Sequence, residues 1–155
     1  MEPITQPTQI PTNVSEQKKI PFRLKIVAGL LFVAYAISLY LPASTNPGDG
    51  NGLLVLMMGW LGPITGTFSW YANPFWVGAV NALLYEKYSR AIQFSLISIL
   101  LASQYFVMYF LNIETSFIDS SRVVEPGSGY WLWVLVLVST CIFSVVEYFS
   151  ADNQK

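Results

Sequence analysis

The chain has 155 residues, 54% of them apolar and only 11% charged, where a globular domain carries about 25% charged residues. It has a net charge of -1, no histidine and one cysteine, Cys141, so it offers no electrostatic footprint for nucleic acid. The same counts exclude bis-histidine haem, histidine-ligated zinc or copper, histidine acid–base catalysis, an intramolecular disulfide and a dithiol oxidoreductase.

In chain order, residues 1–17 are rich in Pro, Thr and Gln and lack apolar periodicity, which predicts a flexible tail over 1–21. The basic cluster Lys18, Lys19, Arg23 and Lys25 then precedes the apolar run 26–41. That run is slightly long for a signal-peptide core and lacks a small-residue cleavage site, so a retained helix is predicted over 22–41, about 30 Å long. Residues 42–52 hold Pro42, Pro47, Gly48, Gly50 and Gly52 and read as a turn-forming linker. The apolar stretch 53–88 is too long for one ordinary span and short for two. It is interrupted at Gly62-Pro63 and Asn73-Pro74. Asn73 can cap a helix that Pro74 cannot extend backwards, so a span is predicted over about 70–88, with 53–69 a broken or re-entrant helix. Spans over 90–111 and 130–149 follow, separated by a polar loop over 112–129 and ending in a short tail over 150–155.

Charge decides how these segments cross. Lys18, Lys19, Arg23, Lys25, Lys87, Arg90 and Lys155 all fall on one side in a four-crossing arrangement with both termini cytosolic. Only Arg122 remains outside, beside Glu114, Asp119 and Glu125. A fifth crossing at 53–69 would send Lys87 and Arg90 outside and bring the acidic loop in, against the positive-inside bias. The expected fold is therefore all-α: a polytopic membrane helix bundle with four crossings plus one broken or re-entrant segment. Trp and Tyr near the ends of the apolar runs fit the headgroup belts.

Several spacings invite chemistry. Ala91, Ser95, Ser98 and Ala102 form a small-residue stripe on 90–111, with Gln93 and Gln104 on the opposite face. Small residues permit close helix approach, and amides either bond across helices or line a polar path, so this helix is expected to be central. Thr140, Ser144 and Glu147 share a stripe on 130–149. Glu147 is the sole carboxylate of that span, either a transport acid or an interfacial partner for Lys25, Lys87 or Arg90. Gly62 and Gly66 make a GxxxG, repeated in spacing by Gly78 and Ala82, again a packing signal or the break of a substrate-binding helix. Cys141 reads as a small packing residue.

The strings Gly59-Trp60-Leu61-Gly62, Trp70-Tyr71-Ala72-Asn73-Pro74 and Gly127-Ser128-Gly129-Tyr130-Trp131-Leu132-Trp133 together resemble a group of small bacterial inner-membrane proteins without assigned activity. The resemblance covers only a minor part of the chain. It implies a bacterial cytoplasmic (inner) membrane location and no catalytic residues. In size and span count the chain is also similar to membrane immunity proteins that oppose pore-forming toxins, a likeness of architecture alone. The expected function is non-enzymatic and cofactor-free: binding membrane lipid, another membrane protein or a second copy of itself. A small oligomeric transporter or channel using Gln93, Gln104, Ser144 and Glu147 is the alternative.

Overall fold

The computed structural model describes residues 20–45, 50–111 and 125–153, except for the side chain of Thr65. The basic pair Lys18 and Lys19, the carboxylates Glu114 and Asp119, Arg122 and Lys155 lie outside them. Among the described residues the chain is helical, with two isolated bridges, Pro42 to Asn51 and Ser44 to Pro126, as its extended pairing.

Among the described residues five α-helices occur in order: α1 Phe22–Tyr40, α2 Gly52–Met58, α3 Ala72–Leu84, α4 Tyr88–Phe110 and α5 Ser128–Asp152. Three of them, α1, α4 and α5, are long and apolar enough to cross a membrane. At 1.5 Å per residue they measure about 28, 35 and 38 Å, against a hydrocarbon core of about 30 Å. Only 22% of the span in α1 and in α4, and 28% in α5, is buried against protein, so large apolar side chains such as Leu30, Leu100 and Leu135 point outward.

The region 53–88 differs from expectation in detail. Helix α2 tightens into a 310 helix, Gly59–Thr65, with Pro63 inside it. A second 310 turn, Ser69–Tyr71, leads into α3. Helix α3 itself has 13 residues, about 20 Å, and ends four residues before the expected 88. The stop is a helix-terminating motif in which Lys87 N–H donates to Ala82 O at 2.9 Å and Glu86 N–H to Leu83 O at 3.0 Å. Glu86 takes the left-handed conformation this requires, φ 57°. Asn73 does not cap α3, which has no side-chain cap. Pro74 is accommodated in the first turn, where no helical acceptor is lost.

Packing fixes the relative directions. Leu24, Ala82, Leu83 and Ala91 share one apolar cluster, which brings the start of α1, the end of α3 and the start of α4 to one end. Arg23, Lys25, Lys87 and Arg90 therefore share that end. A second cluster, Ala28, Leu31, Ala72, Trp76, Val80, Ala102, Val136 and Leu137, fills the middle. Helices α1, α3, α4 and α5 alternate in direction around it, with α3 packed chiefly on α4, and α5 on α4 and α1. At the far end residues 41–45 tie two segments together: Gly52 N–H donates to Leu41 O at 3.1 Å, and Gly127 N–H to Ala43 O at 2.9 Å. A side chain at Gly127 or Gly129 would strike the backbone of residues 41–44 or Ser38.

The innermost helix is α3, whose Ala72, Trp76, Ala79, Val80 and Leu83 are at most 1% exposed. Helix α4, expected to be central, is the element packed most extensively on the others, chiefly α3 and α5. Its small stripe is buried against α3, yet its opposite face is a surface. Helix α5 continues to Asp152, so part of the tail expected at 150–155 is helical.

Candidate functional site

Residues Thr140, Ser144 and Glu147 of α5 all face inward. Thr140 donates its hydroxyl to Val136 O at 2.8 Å and accepts Trp76 Nε1–H at 3.0 Å, and Ser144 donates to Thr140 O at 2.8 Å. Glu147 pairs with the guanidinium of Arg23, which lies 6.0 Å from the centroid of the Phe143 ring. The partner is thus Arg23 rather than Lys25, Lys87 or Arg90, because the first turn of α1 lies beside the last turns of α5.

On α4, Ser95 and Ser98 are at most 1% exposed. Ser95 donates to its own helix at Ala91 O, and Ser98 crosses to Ala72 O, both at 2.8 Å. Gln104 clasps the turn at 66–68, donating Nε2–H to Gly66 O at 2.8 Å and accepting Phe68 N–H at 2.6 Å. Gln93 is exposed. Gln93, Gln104, Ser144 and Glu147 are therefore not brought to one wall: they lie on an outer face, at the far-end turn and at the cation-bearing end. Gly62 and Gly66 shape that same turn rather than a helix–helix contact. A side chain on Gly62 would collide with Thr67, while Gly66 ends the 310 helix at φ 75° in open space.

The structure assembles something else at the far end: a cavity of about 370 Å³ between α1, α2, the 310 turns, α4 and α5. Tyr35, Trp70, Tyr105, Tyr130 and Trp133 supply its aromatic walls. Asn73 is the hub. Its Oδ1 accepts Tyr35 O–H at 3.1 Å and Trp133 Nε1–H at 3.0 Å, and its Nδ2–H donates to Trp70 O at 2.9 Å. Since an indole nitrogen only donates, the atom facing Trp133 must be the amide oxygen. One side chain thus joins α1, α3, α5 and the turn before α3.

The walls are held in turn. Tyr35 stacks on Trp76, ring centroids 4.5 Å apart at 15°. Tyr130 O–H donates to Ala102 O at 3.0 Å, and Trp70 Nε1–H donates to Leu56 O at 2.8 Å, suspending α2 over the cavity. Among the described residues no Asp, Glu, Lys or Arg lines it. Among the described residues no three His, Cys, Asp or Glu side chains gather where a metal could sit.

Sequence reading missed this site because its members are far apart in the chain. Trp70, Asn73, Tyr130 and Trp133 do lie in two of the aromatic strings noted above, but nothing local links them to Tyr35. No protein-family model, curated protein or solved structure matches the chain. Among the described residues the chain is all-helical, with three helices long and apolar enough to span a membrane and, at one end, an aromatic-walled cavity lined by no charged side chain.

Proposed function

We propose that this is a non-enzymatic integral protein of the bacterial cytoplasmic membrane that acts by binding a protein or lipid partner within the bilayer, as an accessory subunit or an immunity protein does. The observation that carries this is the distribution of polarity. Apolar side chains ring α1, α4 and α5 outward, while Ser95, Ser98, Thr140, Ser144 and Asn73 bond inward. Such a surface is matched to lipid and to other membrane helices, where small residues and buried hydrogen bonds govern packing. In this reading α1, α3, α4 and α5 make four crossings with both termini cytosolic. The chain completes the second crossing through the 52–71 segment, because α3 alone is too short. The shared location of Arg23, Lys25, Lys87 and Arg90 supports that orientation.

Photo-crosslinkers placed at Leu30, Leu100 and Leu135 in native membranes test the reading. A discrete protein adduct, or lipid adducts with one of the three faces protected, is the expected result; uniform lipid labelling with no protected face counts against it. A small transporter or channel is the second reading, favoured by the burial of Glu147, 8% exposed. It predicts pH-driven substrate accumulation in reconstituted vesicles that Glu147→Gln abolishes.

A further inference from the structure

We propose that the far-end cavity is a binding site for one uncharged amphiphile, with its hydroxyl or carbonyl head at Ser69 and Asn73 and its apolar body against Leu56, Trp70 and Trp133. This rests on the membrane reading above. Three observations converge on that class of ligand.

The first is charge. Among the described residues the lining is non-ionic, so a phosphate, carboxylate or ammonium head would be stripped of water without a counter-ion from them. A hydroxyl or carbonyl meets suitable groups instead. The Asn73 amide nitrogen carries a second hydrogen beyond the one given to Trp70, and the Ser69 hydroxyl lines the same space.

The second is size. Close-packed interiors leave few voids larger than a water molecule, whereas about 370 Å³ falls in the lower part of the ligand-pocket range of roughly 300–1,000 Å³. That volume accepts a head and a short stretch of chain and leaves a longer tail in the bilayer.

The third is access. One side of the cavity is α2, which contributes Val55 and Leu56 to the wall and buries no residue of its own. Leu53, Leu54, Met57 and Met58 point away from the protein. A single layer of helix, suspended from the Trp70 indole and from Leu41, separates the cavity from lipid. An amphiphile would pass beneath α2 laterally, without crossing a polar surface.

The test uses the full chain in nanodiscs of phosphatidylglycerol and phosphatidylethanolamine, each containing a trace of one diazirine probe: a 1,2-diacylglycerol, a long-chain prenyl alcohol, or a phosphatidic acid with the diacylglycerol's chains. Adducts are mapped by mass spectrometry. At least one neutral probe should label Leu56, Trp70 or Trp133 about tenfold more than phosphatidic acid does, the preference expected when a charged head must be desolvated. Which neutral probe does so separates a glyceride from a prenyl ligand. Ser69→Phe, which fills the cavity, should remove that label and leave adducts at the outward Leu100 and Val107 unchanged. If Ser69→Phe does not fold, the head-group preference of the wild-type chain decides alone. Equal labelling by phosphatidic acid, or labelled outer faces with an unlabelled cavity, overturns the proposal and leaves the membrane reading intact. Unlabelled outer faces overturn both.

Discussion

Among the described residues Asn73 is the side chain that joins the most elements, through three hydrogen bonds. Its carbonyl oxygen takes donors from α1 and α5 at once, and interhelical hydrogen bonds in membranes average about 0.6 kcal/mol each. Asn73→Ala is therefore expected to cost about 1–2 kcal/mol in a detergent-unfolding titration, whereas Gln93→Ala, on an exposed face, should stay within about 0.5 kcal/mol. The Arg23–Glu147 pair predicts an asymmetry. The Arg23 side chain is 67% exposed and that of Glu147 11%, so removing Arg23 strands a buried carboxylate, while neutralising Glu147 leaves a guanidinium that water can reach. Arg23→Ala should cost about 2 kcal/mol, less than the roughly 3–5 kcal/mol of a fully buried pair. Glu147→Gln should cost less than that and leave any proton-coupled flux unchanged. The reverse order in the same titration would place the energetic weight on the cation.

Among the elements, α3 shows how a helix too short to span a bilayer can be the best packed. Its Ala72, Ala79 and Ala82 let α4 approach closely, and α4 answers with Ala91, Ser95, Ser98 and Ala102. Ser98 bonds the first turn of α3 at Ala72 O, so a larger side chain there both overpacks the contact and loses the bond. Ser98→Leu should destabilise by about 2–3 kcal/mol, whereas Val107→Leu, on an outward face, should be close to neutral. The turn between α2 and α3 has a different sensitivity. Gly66 has space around it but a left-handed backbone, so Gly66→Ala should cost about 1–2 kcal/mol. Gly62→Ala should cost more, because the added Cβ would collide with Thr67 O, so that backbone must move. Equal tolerance at Ser98 and Val107 in the thermal-stability series would make the small stripe incidental.

For the whole molecule the decisive quantity is topology. Four antiparallel elements with their cations at one end give alternating sides for successive connections. Reporters fused after residues 50 and 120 should read as external, and those after 88 and 155 as cytosolic. An external signal at 155 would require an odd number of crossings and a separate span at 53–69. The arrangement also assigns the two ends different environments. The end with Arg23, Lys25, Lys87 and Arg90 is suited to anionic headgroups, and the far end holds the aromatic-walled cavity.

Composition and charge pattern were enough to determine the helical class, the apolar character of 22–41, 90–111 and 130–149, and the shared end of Arg23, Lys25, Lys87 and Arg90. These follow from local rules: an apolar run of about twenty residues satisfies its backbone only as a helix in lipid, and positive charge resists translocation. The small stripe on α4 was legible for the same reason, since its period is that of the helix. What only tertiary structure decided were the matters set by contacts distant in sequence. The length of α3 depended on Glu86 accepting a left-handed turn. The partner of Glu147 depended on where α1 starts relative to α5. Asn73 looked like a cap because capping is the local use of an asparagine before proline, yet Tyr35 and Trp133, 38 and 60 residues away, draw its carbonyl into the cavity. No periodicity within one helix encodes a meeting of three helices, so the site came into view only once they were packed.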